Sequence, residues 1–354
     1  MSCAPARACC SGGRTPDMAS PTTGFWRNKK VLVGGGCGLM GSYLVPALVA
    51  SGTRVRVVDN LENGFRESLA PVADAVDFIE ADLRDPRACD RVMPGYELFV
   101  NLAAKASGIG FSRTHHGEML VDNVLCGLVP LAAAQRHGIA HVVVTSTSCV
   151  YSDDVEVPTP ELDAFLGAPE SVNEGYGWAK RVQELAAGYF AREYGLRVSI
   201  IRPFNLYGAN YPWRSSEKAH VIPSLVKRVL DGEDPLVVWG SGEQRRNFLH
   251  GSDAAELMLR IIAAAPDQPV NLGYEDDIRI ADLVALVCDV TGRRPAIIFD
   301  RTRPDGLARK SSDATRLRAL TGGYEPKVSL RQGIEEMVEW YARTFGPPGV
   351  GVCA

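Results

Sequence analysis

Short apolar segments alternate with longer helical patterns through the first two hundred residues. Lys29–Val33 is a short apolar run that stops at a cluster of glycines, and an apolar helical pattern from Met40 to Ala50 follows. Arg54–Val58 then alternates like a strand and ends at Asp59. A strand, a glycine turn, a helix and a second strand within about 30 residues form the order of a βαβ unit.

The same alternation continues towards the carboxyl terminus. Further strands are predicted at Val76–Glu80, Tyr96–Val100, His141–Val144 and Arg197–Ile201, and helices at Met119–His137 and Tyr176–Tyr194. Prolines, tryptophans and charges become frequent beyond Tyr207, although Val270–Gly273 is apolar enough to return a strand to the sheet. This pattern predicts the α/β class, with a Rossmann-type doubly wound parallel sheet and a smaller C-terminal lobe.

The same pattern suggests the domain boundaries. Residues 1–24 are expected to be a disordered extension, 25–206 the Rossmann domain, 207–346 mainly the smaller lobe with segments returning to the sheet, and 347–354 a tail. The N-terminal residues lack the apolar region of a signal peptide, and no apolar run reaches the length of a membrane span. We therefore expect a cytoplasmic protein without a membrane partner.

Composition excludes several function classes. The 354 residues carry a formal charge of −4 and no long basic block, so no nucleic-acid partner is expected. The nine cysteines are an odd number, and their spacing matches no zinc motif. We expect free thiols in a reducing compartment and no bound metal.

The glycine turn after the first strand predicts a dinucleotide site. Gly35 permits the tight bend, Gly38 lets a pyrophosphate approach the backbone, and Gly41 allows the helix to pack closely on the strand. Asp59 ends the next strand, where its carboxylate can accept bonds from both ribose hydroxyls of NAD and would repel the 2′-phosphate of NADP. We predict NAD, although Arg66 is close enough in sequence to leave NADP open.

A second group of residues predicts acid–base chemistry. Tyr176 and Lys180 are four residues apart on a predicted helix, so both side chains reach one cleft. The charge of Lys180 is expected to lower the pKa of Tyr176, whose phenolate could remove a proton from a hydroxyl group. The polar segment Thr145–Tyr151 directly follows the fifth strand, at the carboxyl edge where open α/β sheets bind ligands.

These motifs together resemble the extended short-chain dehydrogenase/reductase family, also described as NAD-dependent epimerases and dehydratases. The resemblance spans roughly residues 27–343 and includes the Gly-x-x-Gly-x-x-Gly spacing, Ala81–Asp85 and Asn101–Ala104. It implies that Thr147 bonds the reacting hydroxyl, that Tyr176 is the base, and that Asp82 contacts adenine. The implied cofactor residues are Gly35, Gly38, Leu39, Met40, Gly41, Asp59, Asn60, Asp82, Leu83, Leu102, Ala103, Ala104, Lys105, Asn123, Ser146, Tyr176, Lys180 and Pro203.

Three segments resemble particular branches of that family. Ala103–Phe111 is similar to a loop shared by GDP-L-fucose synthases and GDP-mannose 3,5-epimerases. Pro212–Ala219 resembles an epimerase segment whose lysine is an acid, and this maps the role onto Lys218. Ala219–Pro223 instead follows the fucose synthase pattern, in which the acid would be His220. Cys149 would be the base on carbon, although a buried cysteine is more often a small apolar residue.

Two basic C-terminal stretches, Trp239–Phe248 and Arg301–Lys310, are placed around a nucleotide diphosphate by the same resemblance. Arginine can bind phosphate through two parallel hydrogen bonds, although each of these cations could equally be a solvated surface charge. The implied substrate-binding residues are Gly108, Ile109, Asn205, Lys218, Lys227, Gln244, Arg246 and Arg303.

The resulting hypothesis is a homodimeric, NAD-recycling epimerase of GDP-mannose or a close relative. It would act at C5, C3 or both, through a transient 4-keto sugar. The nearest alternative is a GDP-4-keto-6-deoxy-sugar epimerase–reductase that consumes NAD(P)H. A 4,6-dehydratase is weaker because no acid pair follows Thr147. A non-catalytic NAD-binding regulator is disfavoured by the complete set of Thr147, Tyr176 and Lys180.

Overall fold

The computed structural model describes residues 23–211, 219–303 and 306–346. The strands are β1 (Lys30–Gly34), β2 (Arg54–Asp59), β3 (Val76–Glu80), β4 (Leu98–Asn101), β5 (His141–Thr145), β6 (Arg197–Pro203), β7 (Leu206–Tyr207), β8 (Leu236–Trp239), β9 (Arg245–Arg246), β10 (Leu249–His250), β11 (Val270–Leu272), β12 (Ile278–Arg279), β13 (Ile297–Asp300) and β14 (Arg309–Lys310).

The α-helices are α1 (Thr23–Trp26), α2 (Leu39–Ala50), α3 (Pro86–Val92), α4 (Ile109–Ser112), α5 (His116–Arg136), α6 (Glu174–Tyr194), α7 (Val221–Leu230), α8 (Gly251–Ala264), α9 (Ile280–Thr291), α10 (Thr315–Thr321) and α11 (Leu330–Phe345). Three 3-10 segments are Arg66–Ala75, Ser148–Val150 and Ser171–Asn173.

A seven-stranded parallel sheet in the order β11-β6-β5-β4-β1-β2-β3 carries the fold. The chain enters at β1, winds outward to β3, and then returns to add β4 on the other side of β1. The carboxyl ends of β1 and β4 therefore flank the point where the strand order reverses, which is where such sheets bind ligands. The sheet confirms the predicted Rossmann-type class, and β11 is the returning strand that the sequence indicated.

Both faces of the sheet are covered, which explains why its strands are apolar throughout. Val31 and Val33 point to the face covered by α2 and α8, whereas Leu32 between them points to the face covered by α3 and α5. This alternation is the period of a strand, and both faces are dry because helices lie on each.

The smaller lobe has an apolar core of its own. Helices α7, α9 and α11 pack with β8, and Leu225, Val284 and Met337 are buried among them. Helices α8 and α10 do not join that core, because Leu257 and Leu317 pack with the sheet. The chain beyond residue 207 is therefore divided between the lobe and the sheet.

Most predicted elements start within a few residues of the observed ones. Helix α5 begins at His116 rather than Met119, and β4 begins at Leu98 rather than Tyr96.

By length and composition alone α5 could cross a membrane, and 39% of its apolar window is buried inside the protein. A single helix of this kind is weak evidence, since core helices of soluble proteins pass the same test.

Candidate active site

The glycine turn packs against the loop that follows β4. Gly35 has a φ of +72°, and a Cβ there would lie 2.7 Å from the backbone nitrogen of Ala103. A Cβ on Gly41 would lie 2.2 Å from the carbonyl oxygen of Gly36. A Cβ on Gly38 would meet nothing closer than 3.5 Å, so that residue borders open space. The turn is thus tight on its protein side and open on the other.

That open side borders a pocket with about 620 Å³ of empty space. Ten of the predicted cofactor residues line it: Gly35, Gly38, Asp59, Asn60, Asp82, Leu83, Leu102, Ala103, Ala104 and Lys105. The other lining residues were not predicted to contact the cofactor, and they are Val58, Glu62, Asn63, Gly64, Ala81, Arg84 and Cys126. Several of these directly follow β2 or β3, so the strand-end rule that selected Asp59 would also have found them.

Asp59 gives the pocket the character of an NAD site. One of its carboxylate oxygens accepts a bond from the Cys37 backbone at 2.9 Å and the other from Leu61 at 2.8 Å. A carboxylate has about four acceptor positions, so lone pairs remain for ribose hydroxyls. Burial raises the pKa of Asp59, and these two hydrogen bonds oppose the increase. Arg66 lies over the Phe78 ring, 4.8 Å from its centre, and does not line the pocket.

An ionic network surrounds the rim of the pocket. Arg84 bonds the carboxylates of Asp82 at 2.7 Å and Glu62 at 2.9 Å, and Lys105 bonds Asp122 at 2.8 Å. Asp82, predicted to contact adenine, is thus already paired, and Arg84 is the largest contributor that lowers its pKa against burial. The network links the loops after β2, β3 and β4 to α5.

The remaining predicted cofactor residues lie outside the wall of this pocket, and two have a supporting role that the sequence did not suggest. Asn123 is fully buried, and its amide bonds the backbone N–H of Lys105 at 2.9 Å and its carbonyl at 3.1 Å. The buried Ser146 hydroxyl donates to Glu184. These side chains are engaged within the protein and hold the loops that carry the site. The others are Leu39, Met40, Gly41, Tyr176, Lys180 and Pro203.

Thr147, Cys149 and the first turns of α6 bring the predicted catalytic residues together, and we call this region the catalytic corner. The Thr147 hydroxyl accepts a bond from the Cys149 backbone at 3.2 Å and caps the short segment Ser148–Val150. Helix α6 packs against this segment at Gly177, where a Cβ would lie 2.6 Å from the Cys149 carbonyl. Lys180 donates to the Thr145 carbonyl at 2.8 Å, and its nitrogen lies 5.6 Å from the centre of the Tyr176 ring.

The pKa of Tyr176 departs from the sequence prediction. Burial raises it, and the nearby Cys149 and Cys126 thiols add to the increase. Burial also lowers the pKa of Lys180 to about 8, against the opposing influence of Cys126 and Glu184. The prediction that the lysine lowers the pKa of the tyrosine is therefore wrong for the protein alone, because loss of solvent dominates at both groups.

The least expected neighbour of Cys149 is Lys310. Its ammonium nitrogen lies 3.6 Å from the Cys149 sulfur and 2.9 Å from a carboxylate oxygen of Glu170. The family resemblance implies that the stretch ending at Lys310 lies around a nucleotide diphosphate. The pairing of β14 with β9 instead carries Lys310 to the cysteine, and no local signal marked Glu170.

Of the two predicted acids, His220 can be placed and Lys218 lies outside the described residues. The His220 ring nitrogen Nδ1 lies 2.7 Å from the Tyr211 hydroxyl, at the start of α7. The side chain is exposed, yet its pKa is lowered, first because surrounding protein atoms displace water and then because Lys310 is cationic. The charge of Lys310 therefore acts on both His220 and Cys149.

The predicted substrate residues make different contacts within the protein. Asn205 donates to the Asn247 carbonyl at 3.0 Å, and Arg246 donates to the Leu307 carbonyl at 2.7 Å. Arg303 lies over Trp239, 5.2 Å from its ring centre. Gln244 is buried, and its Oε1 has no partner within the described part of the chain.

Three other predicted substrate residues have clear positions. Gly108 and Ile109 begin α4, and Ile109 is 40% exposed. Lys227 points elsewhere: it pairs with Asp231 and lies 3.4 Å from the Tyr341 hydroxyl of α11. Two turns of α7 separate it from His220, and its contact with the nucleotide end of the substrate stays a prediction.

A Rossmann sheet with a dinucleotide pocket and an adjoining Thr-Tyr-Lys corner defines an NAD-dependent enzyme of the extended dehydrogenase/reductase type. The family model of NAD-dependent epimerases and dehydratases matches residues 31–273. The chain belongs to this NAD-dependent epimerase/dehydratase family, and NAD is its cofactor.

Relatives in this family carry several different activities. A putative GDP-L-fucose synthase from Oryza sativa subsp. japonica is 32% identical over 90% of this chain and 88% of its own length. The solved UDP-glucose 4-epimerase from Thermotoga maritima, with UDP-glucose, has a TM-score of 0.79 and 29% identity, covering 89% of this chain and 99% of that one. The dTDP-glucose 4,6-dehydratase from Streptomyces venezuelae, solved with NAD, has a TM-score of 0.77 and 29% identity, covering 89% and 97%.

Proposed function

We propose that this chain is a nucleotide-sugar epimerase that recycles NAD and inverts a carbon centre beside a transient 4-keto group. The observation that carries the proposal is the position of Cys149, which packs against the helix bearing Tyr176 and lies beside Lys310, whose charge also acts on His220. An enzyme that only oxidises and reduces a hydroxyl carbon needs the Thr-Tyr-Lys set, whereas a thiol beside it offers a base for carbon.

The oxidation step relies on Tyr176, Lys180 and Thr147. Bound NAD supplies a hydride acceptor and, when oxidised, a positive charge near the phenol. The Tyr176 hydroxyl has a raised pKa in the protein alone, so this charge would favour the phenolate that accepts the C4 hydroxyl proton. Thr147 would hold the same hydroxyl, and Lys180 is fixed by the Thr145 carbonyl so that it can reach a ribose.

The inversion step needs an acid and a base on opposite faces of the sugar ring. A ketone at C4 acidifies C3 and C5, because the carbanion formed there is stabilised as an enolate. Cys149 would take a proton on one face. His220, held by Tyr211, would return one on the other, with Lys218 as the second candidate acid.

GDP-mannose is the substrate that we propose first. The support is the resemblance of Ala103–Phe111 to the loop of GDP-sugar enzymes, together with the relatives named GDP-L-fucose synthase. Arg246 and Arg303 are the candidate phosphate ligands. Gln244 Oε1, which has no partner among the residues that the structure describes, offers an acceptor for a donor on the nucleotide.

A GDP-4-keto-6-deoxy-sugar epimerase–reductase is the second candidate. His220 occupies the position of the acid in that resemblance, and the plant relative carries that enzyme's name. Asp59 supports recycled NAD over consumed NADPH, because its carboxylate lies in the wall where a 2′-phosphate would have to sit.

The decisive experiment is incubation of the enzyme with GDP-mannose in deuterated water, followed by NMR of the sugar. We expect deuterium at C5, at C3 or at both, with no net absorbance change at the nicotinamide band. Cys149→Ser should abolish incorporation while leaving NAD bound. The proposal is wrong if the wild-type enzyme binds NAD but neither carbon gains deuterium. The second candidate is established if the enzyme oxidises added NAD(P)H stoichiometrically with a 4-keto-6-deoxy sugar.

We further propose a cytoplasmic homodimer that pairs through α5 and α6. These packed helices expose apolar side chains that water does not favour: Leu120, Val121, Leu125, Trp178, Leu185 and Tyr189. Light scattering should give twice the chain mass, and Val121→Glu should give a monomer. The matched control Ile298→Glu, at an exposed isoleucine of β13 that pairs with β8 of the smaller lobe, should leave the dimer intact.

A further inference from the structure

Cys149, Glu170 and Lys310 form a buried group of three ionisable side chains. Cys149 is 9% exposed, and the side chains of Lys310 and Glu170 are 12% and 7% exposed. Lys310 contacts both partners, at 3.6 Å to the sulfur and 2.9 Å to the carboxylate. The Glu170 backbone also donates to the Cys149 carbonyl at 3.2 Å, so the two residues are held side by side.

The charges in this group act on the sulfur in opposite directions. Burial and the Glu170 carboxylate raise the pKa of the Cys149 thiol to about 12, whereas the Lys310 ammonium lowers it. Burial alone would favour a neutral Lys310, but the negative potentials of Cys149 and Glu170 outweigh it and raise the pKa of the lysine. Lys310 is therefore charged, and Glu170 is ionised because the same ammonium overcomes its burial.

We propose that Lys310 and Glu170 are opposed positioning residues that set the ionisation of Cys149. The Lys310 ammonium stabilises the thiolate, and the Glu170 carboxylate stabilises the thiol and anchors the ammonium. The use of this balance in catalysis rests on the proposed function, in which Cys149 is the base on carbon.

The proton balance of the base step follows directly. The thiol first releases its proton to water. The thiolate then forms an S–H bond with the proton of the sugar carbon, the C–H bond breaks, and its electron pair moves into the enolate. Negative charge thus leaves the sulfur for the sugar, while Lys310 remains an ammonium and Glu170 a carboxylate. The ammonium stabilises the charged sulfur before the step, so its loss should leave less thiolate to react.

Other titrating groups face the same corner. Tyr176 lies near the sulfur on α6, Arg246 on β9 acts on Lys310, and Lys310 acts in turn on His220, which precedes α7. A pH profile of turnover would mix all of these groups with Cys149. The test is therefore made on the cysteine itself.

The experiment measures the iodoacetamide alkylation rate of Cys149 in the full chain with NAD, using mass spectrometry of the peptide that carries it, across a pH series. Lys310→Met should slow alkylation by about tenfold at a fixed pH below the midpoint, since removing an adjacent opposite charge moves a pKa by one or more units. Glu170→Gln should accelerate it by about tenfold, because the like charge is removed while the amide can still bond Lys310. The double variant should return close to the wild-type rate.

Lys310→Arg is the matched control, because it keeps the positive charge and should keep a rate within a few-fold of wild type. Alkylation of Cys126, together with NAD affinity, reports whether each variant is folded, and Lys310→Gln replaces Lys310→Met if the latter does not fold. Effects of the same sign in Lys310→Met and Glu170→Gln, or no change in either, would overturn the proposal. A purely structural pair would loosen the corner in both variants and so shift both rates in one direction.

The two proposals fail separately. If the Cys149 alkylation rate shifts in opposite directions in Lys310→Met and Glu170→Gln, but no deuterium enters GDP-mannose, the role of the two charges is supported and the proposed reaction is rejected. If the enzyme incorporates deuterium but its Cys149 alkylation rate does not change in the Lys310 and Glu170 variants, the reaction is supported and the role of these two charges is rejected.

Discussion

The cofactor pocket and the catalytic corner are built in different ways from the same chain. Every residue that lines the pocket lies between Gly35 and Cys126, within the first four strands of the sheet and the segments that follow them. The corner joins Cys149 to Lys310, which is 161 residues away along the chain. One continuous part of the chain therefore lines the pocket, whereas the proposed chemistry needs residues that are far apart in the sequence.

This difference determines how each region should respond to amino-acid substitutions. The pocket depends on close backbone approaches at glycines and on loops tied together by hydrogen bonds. The corner depends on buried charged side chains that pair with one another although they are far apart in the sequence. Substitutions in the two regions should therefore separate cofactor binding from chemistry.

The largest expected effect on stability is at the ion pair beneath the corner. Arg202 bonds Glu184 at 2.6 and 2.9 Å and the Tyr151 hydroxyl at 2.9 Å, and these groups are almost fully buried. Arg202→Met leaves Glu184 as an unpaired buried charge, which should lower the free energy of unfolding by about 3–5 kcal/mol. Urea unfolding measures this.

A double variant provides the control for that ion pair. Glu184→Leu combined with Arg202→Met removes both charges and should recover part of the loss. An equal or greater loss in the double variant would show that packing, and not the unpaired charge, explains the effect.

Sequence reasoning succeeded where neighbours in space are also neighbours in sequence. The seven strands, the glycine turn and Asp59 follow from hydrophobic period and strand order, because parallel strands bring their carboxyl ends to one edge. Glu170 and Lys310 could not be found in this way. Their contact with Cys149 depends on the path of a loop and on the pairing of Lys310 with Arg246 across β14 and β9. The pKa of Tyr176 was missed because desolvation depends on packing that no spacing records.

The largest effect on chemistry is expected at Tyr176. Tyr176→Phe removes the hydroxyl that would exchange a proton with the sugar, and should reduce turnover by about a thousandfold. NAD affinity should stay within a few-fold, because Lys180 keeps its bond to the Thr145 carbonyl. Deuterium incorporation and an NAD fluorescence titration measure the two quantities. Full activity of this variant would support a protein that binds NAD for another purpose.

A smaller effect is expected at the cofactor end. Gly41→Ala places a Cβ 2.2 Å from the Gly36 carbonyl oxygen, and this rigid overlap should cost about 1–3 kcal/mol and weaken NAD binding. Gly188→Ala is the matched control, since it also lies inside a helix but its Cβ would meet nothing within 4 Å. That variant should be stabilised by up to about 1 kcal/mol and bind NAD normally. Equal NAD affinity in both variants would contradict the role assigned to the turn.

The smallest predicted effect lies at His141, which belongs to neither region. His141 is buried at the amino end of β5, and its ring nitrogen Nε2 lies 2.9 Å from the Ser199 hydroxyl on β6. Burial, with the nearby Arg197 and Lys29 charges, lowers its pKa from 6.5 to about 4. As the pH falls, the unfolded chain therefore gains a proton at this residue before the folded chain does.

The stability associated with neutral His141 is thus present above pH 6.5 and is lost as the pH falls from there towards 4. About one pH unit below 6.5 the loss should be about 1 kcal/mol, and His141→Gln should show a correspondingly smaller decrease in its urea midpoint over that range. Because this residue lies in the sheet that both regions share, NAD binding and the hydrogen-exchange protection of the segment Ser148–Val150 should be lost together on acidification. Loss of one before the other would show that the pocket and the corner unfold as separate units. The two regions would then differ in stability as well as in chemistry.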